Sequence, residues 1–451
     1  MTQDLIASSG SVVVVGLGAT GLSCARHLQR LGRRCCVIDT REEPPGLAAA
    51  RREFPELALF AGEIPDAVLD GGGEWVVSPG IALDDPLLER ARAAGADIIG
   101  DIDLFMREAA VPVVGITGSN AKSTVTALLG EMAAEAGLTV AVGGNLGTPA
   151  LDLLAPECEL YVLELSSFQL ERAGSLGLAV ATVLNISADH LDRHGTLPRY
   201  HQAKHRIFRG CRKAVANPDD PLTLPLVAAD VPVISWHLRE PDLGGFGLRD
   251  IDGSETLCFG FEPLLPVAEL GISGRHNVAN VLAAFALGYA AGLSQQAMIV
   301  AARRFAGLPH RCQPVAEIAG VRFINDSKGT NIGATAAALD GLAQGRNVVL
   351  IAGGVGKGAD FRQLRPAVEI HCKALILLGE AAAELQYCLQ DVAPVQLAAD
   401  MAEAVRLAAA LAIAGDVVLL SPACASFDQF SGYSARGDAF VAAVRTLEEA
   451  R

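Results

Sequence analysis

Short apolar runs alternate with stretches of helical periodicity along most of the chain. Three of these runs pass directly into a glycine-containing turn, at residues 12–21, 113–124 and 347–357. Alternating apolar strands and helices are typical of parallel sheets that are covered by helices. The pattern therefore predicts an α/β protein in which each of the three turns opens a sheet of its own.

The chain of 451 residues is too long for a single core, and boundaries are predicted near Gly100 and Gly307. In chain order, we expect a Rossmann-like domain at residues 1–100, a P-loop-type mononucleotide-binding α/β domain at 101–307, and a Rossmann-like α/β domain at 308–451. Residues 219–266 contain many Pro and Gly residues, so they are assigned to the periphery of the central domain.

Composition and charge narrow the class of protein. The formal net charge is −15, and a strongly acidic chain disfavours nucleic acid as a partner because phosphate binding needs a basic surface. No apolar stretch approaches the roughly 18 residues that suggest a membrane span, and the N-terminus lacks the basic start of a signal peptide. The cysteines have no metal-finger spacing, and Cys35 and Cys36 are expected to be buried thiols. We expect a cytoplasmic, monomeric enzyme that binds neither nucleic acid nor membrane.

The first turn contains a complete G-x-G-x-x-G at Gly16, Gly18 and Gly21, and Asp39 closes the next strand. Such glycines let the backbone approach a diphosphate at a helix N-terminus, and an acid at this distance contacts a ribose in dinucleotide folds. A nicotinamide or flavin dinucleotide fits this motif, UDP fits it equally, and a turn without ligand is the third interpretation. The side chains that offer further donors to such a ligand are Thr20, Thr40 and Arg41.

The second turn, GITGSNAKST, joins a strand to a helix in the manner of a phosphate-binding loop. Lys122 would neutralise phosphate oxygens, and Ser123 or Thr124 would reach Mg²⁺. The loop residues whose backbone N–H groups would surround the phosphates are Gly118, Ser119, Asn120 and Ala121. The alternative is an ordinary capped helix with a surface lysine.

This loop departs from the strict phosphate-loop pattern at its two glycine positions, which Ile116 and Ala121 occupy. Ala121 is the more serious departure because its methyl group would lie beside the phosphates. We expect the loop to tolerate it provided that the backbone of Ala121 is not left-handed.

Polar residues follow two apolar strands of the central domain. Glu164 ends the strand LYVLE, and His190 follows the strand at residues 180–184. Ligands of parallel sheets gather at the carboxyl ends of the strands, so both residues are candidates for a magnesium site beside Lys122. Imidazole is a poor ligand for Mg²⁺, and without these neighbours His190 would be read as a turn histidine.

With these residues in place, the sequence resembles the Mur ligase family over nearly its whole length. The matching segments are GLGATGLS, DTR, SPGI, GITGSNAKST, GGNLG, ELSSFQL, NISADHLDRH, AKHRIF, SGRHNVANVLAA, LPHR, NDSKGTN, GGVGKGADF and SPACASFDQF. The last segment, at residues 421–430, resembles the members that add D-glutamate to UDP-N-acetylmuramoyl-L-alanine.

The resemblance implies one ligand for each domain. For the UDP substrate it implies Thr20, Gly21, Thr40, Arg41, Ser78, Gly80 and Asn145. For ATP it implies Lys122, Ser123, Thr124, Asn277, Asn280, Arg311, Asp326 and Lys328. For D-glutamate it implies Thr330, Lys357, Ser426, Phe427 and Tyr433. For two Mg²⁺ ions it implies Ser123, Glu164, His190 and a carbamylated Lys204.

Lys204 and Lys357 have simpler interpretations as well. A helix lysine such as Lys204 usually faces solvent. Lys357 ends a second glycine-rich turn, but no Ser or Thr follows it, so we expect it to bind a carboxylate rather than a second ATP. Phe427, and Gly329 after Lys328, depart from the residues that are commoner in the family.

The expected reaction is ATP-dependent amide formation through an acyl phosphate and a tetrahedral intermediate, with Lys122, Glu164, His190 and Lys204 as the catalytic set. Residues 307–309 are the expected hinge for domain closure. Three alternatives remain open from the sequence: a nicotinamide-dependent oxidoreductase, a non-catalytic nucleotide-binding regulator, and a family member that adds another amino acid.

Overall fold

A computed structural model describes residues 11–449 of the protein. The N-terminal residues on which the signal-peptide interpretation depends lie outside this range. Within it, no helix combines the length and the apolar character needed to cross a bilayer. The described residues form three helix-covered sheets and one small antiparallel sheet, which confirms the predicted α/β class.

The first sheet begins with a run of four buried valines. Its strands are β1 (Val12–Val15), β2 (Cys35–Asp39), β3 (Ala58–Ala61), β4 (Glu74–Val77) and β5 (Asp97–Ile99). Its helices are α1 (Ala19–Arg30), α2 (Leu47–Glu53), α3 (Asp66–Leu69) and α4 (Pro86–Ala93). The strands are parallel in the order β3-β2-β1-β4-β5, so β1 lies in the middle and its β-branched side chains pack on both faces. Cys35 and Cys36 are buried and unpaired, as predicted.

The second sheet carries the phosphate-loop segment at its centre. Its strands are β6 (Val113–Thr117), β7 (Val140–Gly144), β8 (Leu160–Glu164), β9 (Val180–Val183), β10 (Ala214–Ala216) and β11 (Val233–Ser235). The helices up to β10 are α5 (Asp101–Glu108), α6 (Lys122–Glu135), α7 (Ser167–Leu170), α8 (Leu191–His194) and α9 (Leu197–His205). All six strands are parallel in the order β11-β10-β9-β6-β8-β7. The carboxyl ends of β6, β8 and β9 therefore lie side by side.

Residues 219–266 contain more regular structure than their composition indicates. Strand β11 of the second sheet is followed by an antiparallel sheet of β12 (Phe246–Ile251), β13 (Ser254–Phe259) and β14 (Glu262–Pro266). Two helices, α10 (Arg275–Ala291) and α11 (Gln295–Arg304), come next and pack against α6. The aromatic side chain of Phe246 packs against Phe285 of α10, which joins this small sheet to the second sheet's core.

The third sheet belongs to the C-terminal part of the chain. Its strands are β15 (Gln313–Ile318), β16 (Val321–Asn325), β17 (Val348–Gly353), β18 (Cys372–Leu378), β19 (Val395–Leu397) and β20 (Val417–Leu420). Its helices are α12 (Ile332–Leu342), α13 (Arg365–His371), α14 (Ala382–Leu389), α15 (Met401–Leu411) and α16 (Tyr433–Glu449). The order is β15-β16-β20-β17-β18-β19, and only β15 is antiparallel to its neighbour.

Candidate active site

The loop between β6 and α6 turns sharply before the first helical residue. Ala121, the residue that precedes Lys122, has φ +68° and ψ −10°. The condition under which the loop is expected to tolerate alanine, a backbone that is not left-handed, is therefore not met. The loop must reverse direction within one residue to begin α6 at Lys122, and a left-handed residue makes that reversal. An L-residue in this region is strained by about 1 kcal/mol relative to glycine.

Lys122 lies at the start of α6, and its side chain folds back over the loop. Its Nζ donates to the carbonyl oxygens of Gly118 (2.9 Å) and Ser119 (3.0 Å). Burial lowers the pKa of Lys122, against the opposing effects of Glu164 and Asp189. The amine is thus held beside the backbone N–H groups of a helix N-terminus, where an anion would satisfy all of these donors.

Glu164 lies at the carboxyl end of β8, directly beside that helix. Its two carboxylate oxygens accept hydrogen bonds from Ser123 Oγ and from Asn145 Nδ2, each at 2.5 Å. Burial alone would raise the pKa of Glu164, but the charge of Lys122 and these two hydrogen bonds lower it overall. The carboxylate therefore stays ionised although its side chain is buried.

Lys204 of α9 is not a solvent-facing lysine. Its side chain is only 1% exposed, and its Nζ donates to Gly118 O at 2.8 Å and lies 3.4 Å from Thr117 Oγ1. Burial, and next the charge of Lys122, lower the pKa of Lys204 well below its usual value. No carboxylate among the described residues forms an ion pair with this amine, so burial favours its neutral form over the cation.

His190 follows β9 and caps α8 with a left-handed backbone, φ +52°. Its ring packs against Phe168, with 4.9 Å between the ring centroids, and its Nε2 lies 3.6 Å from Asp189 Oδ2. Burial lowers the pKa of His190, although Asp189 acts in the opposite direction. The imidazole is therefore neutral near pH 7, and a neutral imidazole can accept a proton.

The central and C-terminal sheets meet across this site through side chains. Lys357 Nζ, after β17, donates to Asp189 Oδ1 at 3.0 Å. Asn331 caps α12 and also donates from Nδ2 to Asn120 Oδ1 (3.0 Å) and Asp189 Oδ2 (3.2 Å). Arg311 donates to Ser123 Oγ from the same side. Burial alone would raise the pKa of Asp189, but the nearby His190, Lys357 and Lys122 lower it overall.

These groups line one continuous recess, here called the central cavity. Its lining includes, of the predicted residues, Ser119, Asn120, Ala121, Lys122, Ser123, Asn145, Glu164, His190, Lys204, Arg311, Lys328 and Thr330. Among the described residues, no three His, Cys, Asp or Glu side chains converge in the way a self-sufficient metal site requires. The Ser123 hydroxyl and the Glu164 carboxylate provide oxygen ligands in this cavity, and oxygen is the ligand type that Mg²⁺ prefers.

A second recess, the side cavity, adjoins the central cavity at the same loop. The predicted residues that line it are Asn120, Ala121, Thr124, Asn277, Asn280, Arg311, Asp326 and Lys328. Burial raises the pKa of Asp326 to about 6, although Ser421 Oγ donates to it at 2.7 Å. Burial and the neighbouring cations lower the pKa of Lys328 to about 8, and its Nζ lies 3.9 Å from the ring centroid of Tyr433.

The N-terminal cavity lies over the first glycine-rich turn. The predicted residues that line it are Gly16, Gly18, Thr20, Asp39, Thr40, Arg41, Ser78, Gly80 and Asn145. Gly21 does not line it, because a side chain there would overlap the carbonyl of Gly16. Asp39 accepts hydrogen bonds from Leu17 N (2.7 Å) and from Arg41 Nε (2.9 Å) and Nη2 (2.7 Å). Its oxygens are already paired within the turn, so Asp39 orients Arg41 here.

The residues predicted for D-glutamate are not all brought to these cavities. Thr330 lines the central cavity, and Lys357 reaches Asp189 at its edge. Ser426 is buried, Phe427 is 76% exposed, and Tyr433 packs on Lys328; none of the three lines the cavities described above.

The sequence predictions missed several residues of the central cavity. Tyr200 lies one helical turn before Lys204 and lines the cavity, and Asp189 and Asn331 hold its two sides together. Asp189 adjoins His190, and Asn331 lies in the NDSKGTN segment, so the matching segments already contained both. Their spacing alone gives no indication that they meet.

Comparison with known proteins covers the same three regions. Residues 10–100 match the domain family described as Mur ligase MurD-like, N-terminal domain. Residues 116–288 match the Mur ligase middle domain, and residues 310–424 match the Mur ligase glutamate ligase domain.

Relatives of similar length support the match. The UDP-N-acetylmuramoylalanine--D-glutamate ligase of Pseudomonas fluorescens strain Pf-5 is 53% identical over 448 residues, covering 99% of this chain and 100% of that protein. The protein of the same name from Pseudomonas aeruginosa is 54% identical over 447 residues, with the same coverage. UDP-N-acetylmuramate-alanine ligase MurC from Thermotoga maritima has a similar fold, with a TM-score of 0.61 at 18% identity over 98% of this chain and 100% of that one. The chain therefore belongs to the Mur ligase family.

Proposed function

We propose that this protein is an ATP-dependent ligase that joins D-glutamate to the alanyl carboxylate of UDP-N-acetylmuramoyl-L-alanine, a step of peptidoglycan precursor synthesis in the cytoplasm. The observation that carries the proposal is the central cavity, where a phosphate-loop lysine and a paired Glu164 face Asp189 and Lys357 across two domains. The name and full-length identity of the Pseudomonas relatives support the same substrates.

Each cavity suits one substrate in this proposal. The N-terminal cavity, which the predicted domain at residues 1–100 forms together with Asn145 of the central domain, would take the UDP group at the glycine-rich turn, with the guanidinium of Arg41 as a donor. The side cavity, in residues 101–307 with contributions from the C-terminal domain, would take the base and ribose of ATP. The C-terminal domain, residues 308–451, would bring Lys357 and Thr330 to a carboxylate of D-glutamate.

The first step activates the carboxylate. An alanyl carboxylate oxygen attacks the γ-phosphorus of ATP; an O–P bond forms, the bond to the β–γ bridging oxygen breaks, and ADP leaves. Lys122 and the N–H groups at the start of α6 are placed to stabilise the charge on the transferring group. Strain at Ala121 holds these N–H groups in one direction.

The second step forms the amide. The neutral amine of D-glutamate attacks the acyl carbon, and the resulting tetrahedral intermediate breaks its C–O bond and releases phosphate. The amine must lose a proton, and the neutral imidazole of His190 is our proposed acceptor because burial lowers its pKa. The contacts of Asp189 and Asn331 would keep the two halves of the cavity together during this step and exclude water from the acyl phosphate.

Magnesium fits the donor set of the central cavity. Ser123 and Glu164 would hold it, and it would neutralise phosphate charge during transfer. Lys204 enters this site as a second proposal. Burial favours the neutral form of its amine, and in that form the amine is able to attack CO₂, forming an N–C bond and losing one proton. The resulting carbamate would supply an anionic oxygen ligand in place of the amine.

Phosphate release from ATP tests the proposal. We expect release to require Mg²⁺, UDP-N-acetylmuramoyl-L-alanine and D-glutamate together, with L-glutamate inactive. Release with a different amino acid would keep the chemistry and overturn the D-glutamate assignment. Absence of phosphate release with any amino acid would favour the non-catalytic nucleotide-binding regulator. Binding of a reduced nicotinamide cofactor, detected by its fluorescence, would favour the oxidoreductase.

Lys204 is tested separately with a Lys204→Ala variant. We expect its activity to fall at least about 100-fold and to recover partly when short-chain carboxylic acids are added, since they would supply the missing anion. Full activity without any added acid would overturn the carbamate.

A further inference from the structure

Arg172 is a buried cation that the proposed reaction does not use. It follows α7 of the central domain, and its side chain is 1% exposed. Its donors reach five backbone carbonyls: Phe168 (3.1 Å), Val77 (3.2 Å), Ser78 (2.9 Å), Pro79 (3.3 Å) and Ile81 (2.7 Å). Four of these carbonyls belong to a single loop of the N-terminal domain, residues 77–81.

This arrangement is unusual because a buried arginine normally pairs with carboxylates. Arg172 has Glu171 beside it at 3.3 Å, yet most of its donors are directed at backbone oxygens. Burial lowers the pKa of Arg172, but a guanidinium keeps its charge in proteins, so the cation persists there. The guanidinium carries several N–H donors in one plane, so it can donate to several carbonyls of one turn at once. A lysine ammonium lacks this planar arrangement of donors.

The loop that Arg172 holds also forms part of the N-terminal cavity. Ser78 and Gly80 line that cavity, and Ser78 Oγ donates to Gly16 O at 3.2 Å in the glycine-rich turn. Ser78 Oγ and Cβ would also lie about 2.9 Å from any side chain added at Gly16. A shift of the loop would therefore move the turn on which a diphosphate would rest.

We infer that Arg172 is a positioning residue that sets the shape of the N-terminal cavity from the neighbouring domain, and so determines the affinity for the UDP portion of the substrate. This inference rests on the proposed function for the identity of that ligand. Arg193 supports the same loop, with Nη2 at 2.6 Å from Ile81 O, but it is more exposed. Of these two arginines, Arg172 is the one that contacts the carbonyls on either side of Ser78, whereas Arg193 contacts those of Gly80 and Ile81.

The test compares Arg172→Lys with a matched Arg26→Lys. Arg26 also joins the N-terminal and central domains, through Asp152 at 3.1 Å, but it does not touch the loop. For Arg172→Lys we expect the KM for UDP-N-acetylmuramoyl-L-alanine to rise about 10-fold or more, with the KM values for ATP and D-glutamate within about 2-fold. Arg26→Lys should leave all three values unchanged. Because KM does not depend on the fraction of folded enzyme, partial misfolding would not obscure the result.

A second variant tests whether Arg172 acts through the loop. Ser78→Ala removes the hydrogen bond to Gly16. The UDP affinity of each single variant and of the double variant is measured by calorimetry with UDP as the probe. If both residues act through the loop, the fold-change in the double variant should be smaller than the product of the two single fold-changes. An unchanged UDP-substrate KM in Arg172→Lys, an equal rise for all three substrates, or fully multiplicative effects would each overturn the inference. If the unmodified protein fails to bind UDP, the proposed function fails instead.

Discussion

The central domain contacts its two neighbours in different ways. Toward the N-terminal domain, Arg172 donates to several backbone carbonyls of one loop, and Arg193 shares the Ile81 carbonyl. Toward the C-terminal domain, the side chains of Lys357 and Asn331 contact Asp189, and Asn331 also contacts Asn120. The four carbonyls that Arg172 contacts belong to one loop and would have to leave together, whereas a substrate carboxylate can replace Asp189 as the partner of Lys357. We therefore expect the first junction to stay fixed and the second to open and close with ligands.

The largest effect should come from removing the ion pair of the second junction. In Lys357→Met, Asp189 loses its cationic partner and D-glutamate loses its proposed carboxylate contact, so we expect the KM for D-glutamate to rise about 100-fold. The KM for the UDP substrate should stay within about 2-fold. Phosphate release measures both, and Lys373→Met is the control because Lys373 pairs with Asp416 inside the C-terminal domain. Equal effects on both substrates would contradict the comparison.

A milder change at the same junction is Asn331→Asp. Aspartate caps a helix as well as asparagine does, so α12 should keep its cap. The new carboxylate would face Asp189 in place of an amide that now donates at 3.2 Å. We expect about a 10-fold loss of kcat/KM for D-glutamate and less compaction in X-ray scattering when substrates are added. Unchanged compaction would indicate that Asn331 does not contribute to closure.

The stability contributed by Asp326 in the C-terminal domain and that contributed by Asp39 in the N-terminal domain should depend on pH with opposite signs. Burial raises the pKa of Asp326 to about 6, so the stability it contributes is present below about pH 4 and lost as pH rises through 6. Burial alone would raise the pKa of Asp39 too, but Arg41 and the Leu17 amide lower it overall, so its contribution is present above about pH 4 and lost in acid.

Urea midpoints of the free protein from about pH 2 to 7 check this contrast. Relative to the unmodified protein, Asp326→Asn should gain stability as pH rises through 6. Relative to the unmodified protein, Asp39→Asn should lose stability as pH rises toward about 4 and should then stay constant. The same sign in both variants would overturn the assignment of Asp326 as the group held protonated by burial.

The smallest effect concerns the strained loop. Ala121→Gly should relieve the left-handed backbone and stabilise the protein by about 1 kcal/mol, partly offset by the greater freedom of glycine in the unfolded chain. Ala319→Gly, at φ +52° in the turn between β15 and β16, is the matched control for stability. We expect the KM for ATP to change in Ala121→Gly and to stay the same in Ala319→Gly. A change of the same size in both variants would show that the strain at Ala121 has no specific effect on nucleotide binding.

The sequence alone determined the architecture and the position of each glycine-containing turn. The strands β1, β6 and β17 and the helix that begins at Lys122 follow from apolar runs and small residues close together in the chain. Asp39 and Glu164 were predicted at strand ends, and both lie there, because the direction of a parallel strand places its last residue at the ligand edge. Such signals are local, so the sequence contains them directly.

Only the tertiary structure decided how these groups are used. The packing of α9 buries Lys204 beside Gly118 and lowers its pKa, and the backbone of Ala121 is left-handed where the loop turns into α6. Arg172 reaches Val77 across 95 residues, and Lys357 reaches Asp189 across 168. Contacts over such separations arise from the packing of whole domains, and no pattern within a short stretch of sequence specifies which donors and acceptors will face each other.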